Sequence, residues 1–388
     1  MSHAAPLEAL PNQIEPNSLK LDAPVVIIGA GPVGVRAAQQ FSTSGKSVVL
    51  FNAEKVVPYN RVKLTPLLSG EAQVGQVFQP DVFSGRDEVH RYDGVSVIDI
   101  DRGEKTVTTS TGRVQPYEKL IIAVGSRAFV PRIPGVELAN IYTFRDFGDT
   151  EALLSRSFSA RNALVVGGGL LGLEAARGIA GRGAKVTVVE HEACLMPNQL
   201  DTTAAALLKE RIEDLGITVL TSTRVKQFIG SDRVEAAQFE GADERRFDTV
   251  VICTGVRANT QLAAAAELAV GRGIKVDSLM RSSDPDIYAI GECAEVDGYV
   301  TGLVGPGFEQ ATVAVENIVT QSTQTKFESS IDACKLKVIG VDVFSMGDFA
   351  SVEQQGNVQS YIYHATEEPL VVDKVFTGGT CAGLNALA

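Results

Sequence analysis

Short apolar runs that stop at a glycine-rich turn recur along this chain, and an apolar helix follows the turn in two of them. Residues 25–28 (VVII) run into Gly29, Gly31 and Gly34, and residues 164–166 (LVV) run into Gly167, Gly169 and Gly172. An apolar run with no polar alternation reads as a buried parallel strand. After the second turn, Leu173, Ala175, Ala176 and Ile179 fall at helical spacing, and the next run, VTVVE, closes at Glu190. Strand, turn, helix and strand make one βαβ unit. Further buried strands are predicted in YEKLIIAVGS (117–126), FDTVVICTGVRAN (247–259) and DIYAIGECAE from Asp286. Leu208, Ile212 and Leu215 share one face of a helix that starts at Asp201 and ends at Gly216. Another helix is predicted around residues 311–318, after the glycines of GLVGPGFEQA. SYIYH and PLVVDKVF read as strands, and TGGTCAGLNALA fits no element.

The glycine spacing GxGxxG has a steric reason. The first glycine permits the tight turn, the second lets a pyrophosphate approach the backbone, and the third lets helix and strand pack closely. The helix N-terminus is then aimed at the phosphates. Glu190 ends the following strand, where a ribose 2′-hydroxyl needs a carboxylate acceptor, so the second unit reads as a site for NAD. Laid over it, Gly29, Gly31 and Gly34 fall on Gly167, Gly169 and Gly172, while Ala37, Ala38, Gly45 and Val48 fall on Ala175, Ala176, Gly183 and Val186. The chain therefore holds two dinucleotide sites. Asn52 falls on Glu190 and is taken as the ribose contact of the first site, without charge, with Glu54 as the alternative. Gly125 and Gly255, at two strand ends, bring a small residue against a nucleotide. Glu292, beside a glycine at a third strand end, is placed to accept from sugar hydroxyls.

A length of 388 residues suggests two to three domains. With 45% apolar and 21% charged residues the composition is that of a soluble globular protein. The net charge of −12 argues against nucleic acid and anionic membrane as partners. No basic start with an apolar core opens the chain, so no leader is expected, and residues 1–22 are predicted to be a loose arm. No apolar run approaches the roughly 18 residues of a membrane span. Cys194, Cys253, Cys293, Cys334 and Cys381 form no close pair. That pattern predicts a reducing, cytoplasmic setting, with no redox-active dithiol, zinc site or iron–sulfur ligand set. His3, His90, His191 and His364 are scattered, so no metal is expected.

Two such units, followed in order by AVGS, CTGVRAN and IYAIGECAE, resemble the two-dinucleotide-binding flavoprotein family of pyridine-nucleotide reductases, over about residues 23–349. In that family the first fingerprint holds the adenosine diphosphate half of FAD and the second holds NAD(P)H. Glu292 stands where the family has an aspartate touching the flavin's ribityl chain. PYNRVKLTPLLSGE, CLMPNQLD and KLKVIGVDVFSMGDF are similar to the flavin portion of the NADH-dependent assimilatory nitrite reductase large subunit, and to electron-transfer subunits of nitrate assimilation. Rubredoxin reductases are related. Dithiol members carry two cysteines near residues 58–68, and this chain has none there. Nitrite reductase large subunits also carry cluster and sirohaem ligands in segments that these residues do not contain.

The resemblance implies an α/β fold of two Rossmann-like dinucleotide-binding domains. Residues 23–145 plus 271–320 would bind FAD and 146–270 would bind NAD, followed by a short C-terminal α+β interface segment, 321–388. Arg61 matches the position of a lysine near the flavin in rubredoxin reductases, where a cation stabilises charge on the reduced ring. Arg61 and Lys63 are therefore the candidate catalytic cations, with a solvated loop as the alternative. The helix after GLVGPGFEQA would aim its N-terminus at the flavin ring. Cys293 is read as packing. The activity implied is NADH-dependent reduction of FAD, with electrons passed to a separate redox protein: a nitrate or nitrite reductase component, a rubredoxin or a ferredoxin. A flavoprotein scaffold that senses nucleotide without turnover is the reading from another class. The acceptor and the oligomeric state stay open.

Overall fold

In this computed structural model the described residues are 23–78, 82–328 and five strands beyond residue 328, of which only the backbone is described. The expected arm, 1–22, lies outside them. Two parallel sheets of five strands organise the rest. The first runs Ile287–Ala289, Lys119–Ile122, Val25–Ile28, Val48–Asn52, Val89–Asp93 in spatial order. The second runs Thr218–Leu220, Lys185–Val189, Asn162–Val166, Thr249–Ile252, Ile141–Thr143. Every residue of Val25–Ile28 and Val48–Asn52 is buried. That is why these strands read as continuous apolar runs: parallel sheets are covered on both faces.

Helices Pro32–Thr43 and Val304–Thr320 cover one face of the first sheet. On the other face lies an antiparallel meander of Val97–Asp101, Thr106–Thr109 and Val114–Pro116. The second sheet repeats the plan, with helices Leu170–Ala180 and Thr202–Asp214 on one side and a meander from Val225–Ile229 on the other. In Thr202–Asp214, Asp201 caps the first turn by accepting from Ala204 N at 2.8 Å. Leu208 and Ile212 are fully buried as expected, but Leu215 is exposed, because the helix ends before it.

Pairing places two segments differently from the expected domain limits. Ile141–Thr143 joins the second sheet through Thr249–Ile252, so the second unit begins before residue 146. Ala263, Ala266 and Leu268 pack into the core of the first unit, before residue 271. Ser126–Ala128 pairs antiparallel with Val256–Ala258, so the strands after Gly125 and Gly255 clasp the units together. The C-terminal strands form one antiparallel sheet in the order Ala333–Val338, Val341–Gly347, Thr380–Leu387, Val371–Thr377, Val358–His364. The stretch that fits no element from sequence supplies its central strand.

Candidate functional site

The two glycine turns are built alike. Gly29 and Gly167 take φ of 108° and 113°, in the region closed to side chains, and an added Cβ would stand 2.3 Å from Ala123 O and 2.2 Å from Cys253 O. Gly34 and Gly172 abut the turn itself, with a Cβ only 2.0 Å from Gly29 O or Gly167 O. Gly31 and Gly169 are different: nothing lies within 4 Å of where their Cβ would be. Each is the N-cap residue of its helix and makes no side-chain cap. The space left over an uncapped helix N-terminus suits a pyrophosphate on both counts, charge and room. This fits two dinucleotides, one per unit.

Both turns open into one cleft of 2470 Å³. Of the residues singled out by sequence, Gly29, Gly31, Asn52, Arg61, Gly125, Gly167, Gly169, Glu190, Gly255 and Glu292 line it. Gly34 and Gly172 do not, as their packing role requires. Lys63 does not line it either: it is exposed on the turn Arg61–Lys63, and the two candidate cations part company.

Glu190 is nearly buried. Its carboxylate accepts from Gly168 N at 2.6 Å and from Glu192 N at 2.9 Å, which fixes it over the second glycine turn. Asn52 occupies the matching place but is already committed. Its amide donates to Val56 O and to Asp93 Oδ1, both at 2.8 Å, and its oxygen accepts from Glu54 N at 3.2 Å. Asn52 thus holds the loop and has no donor to offer a ribose. Glu54 is spoken for as well, paired with Arg61 and accepting from the Tyr59 hydroxyl at 2.8 Å.

Residues that sequence reasoning passed over line or buttress the cleft. Arg145 pairs with Glu292 and donates to Ser126 Oγ at 2.9 Å, while Ser126 Oγ donates to the same Glu292 oxygen at 2.9 Å. Arg61 donates to Arg145 O at 3.2 Å, so the two arginines are ordered together. Gln310, fully buried in the helix Val304–Thr320, accepts from Gly291 N at 2.7 Å and holds the Glu292 turn. Glu174 lines the cleft where the two units meet and accepts from Thr65 Oγ1 at 2.7 Å. Burial raises its pKa above the usual carboxylate range, with the Thr65 bond acting against the shift. Burial also pushes the Cys293 thiol up to about 11 and the Cys253 thiol up to about 12, so neither is poised as a thiolate nucleophile.

The sequence pattern of the pyridine nucleotide-disulphide oxidoreductases matches residues 23–317. A nitrite reductase [NAD(P)H] of Bacillus subtilis is 38% identical over 341 residues, covering 87% of this chain and 42% of that protein. The assimilatory nitrate reductase electron transfer subunit of Bacillus subtilis is 34% identical over 360 residues, covering 91% of this chain and 47% of that protein. The chain thus spans less than half the length of these two relatives. Among solved structures, a ferredoxin reductase from Rhodopseudomonas palustris superposes with a TM-score of 0.85 at 25% identity, over 94% of this chain and 91% of that one.

Proposed function

This chain belongs to the pyridine nucleotide-disulphide oxidoreductase family, and from that premise we propose that it is an NADH-dependent FAD oxidoreductase that passes electrons to a separate redox protein of nitrate or nitrite assimilation, in the cytoplasm. The observation that carries the proposal is the single cleft joining two open glycine turns. Gly31 and the N-terminus of Pro32–Thr43 would hold the pyrophosphate of FAD, and Glu292 its sugar hydroxyls. Gly169 and Glu190 would hold the pyrophosphate and ribose of NADH. A bound flavin supplies the means to take a hydride from NADH and to release its two electrons singly. The chain's own part is position and field. Arg145 orients Glu292 and Arg61 adds a cation at the cleft floor, while Glu174 and Thr65 shape the meeting point of the two sites.

Similarity to a ferredoxin reductase supports a ferredoxin or rubredoxin as the alternative acceptor. The test uses the purified chain. FAD is expected to copurify, identified by mass spectrometry of the released cofactor, and NADH is expected to bleach it anaerobically. Release of FMN alone would refute the adenosine diphosphate site. Bound FAD that NADH does not bleach would leave the scaffold reading.

A further inference from the structure

Beside Glu190 stands a histidine whose two nitrogens each face a carboxylate. His191 Nδ1 lies 2.7 Å from Glu190 Oε1, and Nε2 lies 3.1 Å from Glu192 Oε1. An imidazole can donate from both nitrogens only as the imidazolium; the neutral ring turns a lone pair toward one of the two carboxylates. Glu190 cannot swing away, because Gly168 N and Glu192 N hold it. His191 itself is half exposed and lines the cleft.

The neighbouring loop is tied to the same spot. Thr223 N donates to Glu190 O at 3.0 Å and Ser222 N to Glu192 O at 2.8 Å, with Ser222 in the left-handed region at φ 49°. This brings Arg224, which is exposed, to the end of the cleft that Glu190 and His191 line. The charged groups here are Glu190, Glu192, Arg224 and Glu240, whose backbone N donates to Arg224 O at 3.0 Å. With His191 neutral the group carries two net negative charges; with His191 protonated it carries one.

We propose that His191 makes this site selective by pH: protonated, it lets His191 and Arg224 receive the 2′-phosphate of a phosphorylated dinucleotide, and neutral, it leaves the site to the unphosphorylated form. The proposal rests on the reading of this end of the cleft as the NADH site. A 2′-phosphate brings about −1.5 to −2 charge to a place already negative. Protonation of His191 offsets one of these negative charges and frees an N–H donor to turn from Glu192 toward the phosphate, so the repulsion falls only when the ring is charged. Histidine is the side chain that changes charge in the neutral range. Coupling to a single proton limits the change to a factor of about ten per pH unit.

The experiment is calorimetric titration of the FAD-loaded protein with 2′,5′-ADP and with 5′-AMP at about pH 8 and about pH 6, on either side of the neutral range in which imidazole side chains change charge. The affinity ratio of 2′,5′-ADP to 5′-AMP is expected to rise about tenfold toward the lower pH, within the single-proton limit. In His191→Asn the rise should shrink to less than about twofold, and Arg224→Gln should weaken 2′,5′-ADP at both pH values. The kcat/KM ratio of NADPH to NADH should follow the same course. A flat ratio in the wild type overturns the proposal. So does a rise that persists in His191→Asn, which would belong to the titration of the phosphate, with its pKa near 6. Binding of 5′-AMP with a flat ratio removes this proposal alone; failure of both nucleotides to bind removes the NADH site with it.

Discussion

Asn52 ends one strand of the first sheet and Glu292 follows another, yet they differ in what they keep for a ligand. All of Asn52's amide is used within the fold, whereas Glu292 presents to the cleft a carboxylate that Arg145 and Ser126 hold at one oxygen. Asn52→Ala should therefore cost stability, about 1–3 kcal/mol for the buried partners it strands. Glu292→Ala should cost flavin. The ratio of flavin to protein after gel filtration, set beside a thermal melt, separates the two; equal flavin loss in both variants would contradict the assignment. Glu174 makes a pH prediction. Its folded pKa is raised by burial, so the fold binds its proton more tightly than the unfolded chain does. The carboxylate then penalises folding increasingly as pH climbs from the unfolded value through the folded one. Glu174→Gln keeps an acceptor for Thr65 and should raise the Tm at neutral pH, with the gain vanishing near about pH 4, below the unfolded glutamate pKa. An unchanged Tm at neutral pH would refute it. At Glu190 the argument is Coulombic. A 2′-phosphate about 4 Å from this carboxylate is repelled by roughly 4 kcal/mol at an effective dielectric near 20. Even a quarter of that gives about fivefold preference for NADH. Glu190→Gln should narrow the kcat/KM gap between the cofactors, and a wild type that favours NADPH at pH 8 would sink the assignment.

Each glycine turn joins a strand to a helix, and its three glycines do separable work. Gly34→Ala would drive a Cβ to 2.0 Å from Gly29 O, so it should disrupt the packing of Pro32–Thr43 on the sheet and lower the melting temperature even without flavin. Gly31→Ala meets nothing within 4 Å in the protein. It should leave the melt of the flavin-free protein unchanged and reduce flavin retention, because the methyl group stands where the pyrophosphate would. Melts of the flavin-free variants decide it, and a Gly31→Ala melt as low as that of Gly34→Ala would remove the distinction. This separation also explains what the sequence made legible. Glycines needed for backbone sterics recur at fixed local spacing, so both βαβ units and their repeat can be read directly. Arg145 finds Glu292 across 147 positions and Thr65 finds Glu174 across 109, and no local period marks either pair. Gln310 stands just ahead of the helix expected around residues 311–318, and no local pattern ties it to Gly291, 19 positions away. Asn52 was legible as a position but not as a role, because its partners Val56 and Asp93 come from the loop and from a neighbouring strand. The clasp of Ser126–Ala128 on Val256–Ala258 was hidden for the same reason: two short segments after two glycines carry no signal that they pair with each other.

At the scale of the whole chain the question is how far electrons can travel within these 388 residues. The cleft joins the two glycine turns, and under the proposed function that would suffice for transfer from NADH to flavin and then to an acceptor that arrives from outside. Nitrite needs six electrons to reach ammonia, and the resemblance read from the sequence implies that this work falls to cluster and sirohaem ligands beyond the flavin portion. A four-cysteine cluster could not be assembled here without Cys253 or Cys293, since the sequence has only five cysteines. Both of those thiols are pushed well up by burial, and Cys293 Sγ donates to Ile122 O and Ile290 O at 3.3 Å, within the core of the first unit. Freeing Cys293 would break the packing behind the first glycine turn, and freeing Cys253 would break that behind the second. The chain by itself is therefore expected to oxidise NADH with ferricyanide or a redox dye and to leave nitrite and nitrate untouched. Parallel assays of NADH oxidation, nitrite and ammonia on the purified protein check this. Dye reduction without nitrite loss supports an electron-transfer role, and stoichiometric conversion of nitrite by this chain with NADH alone would overturn it.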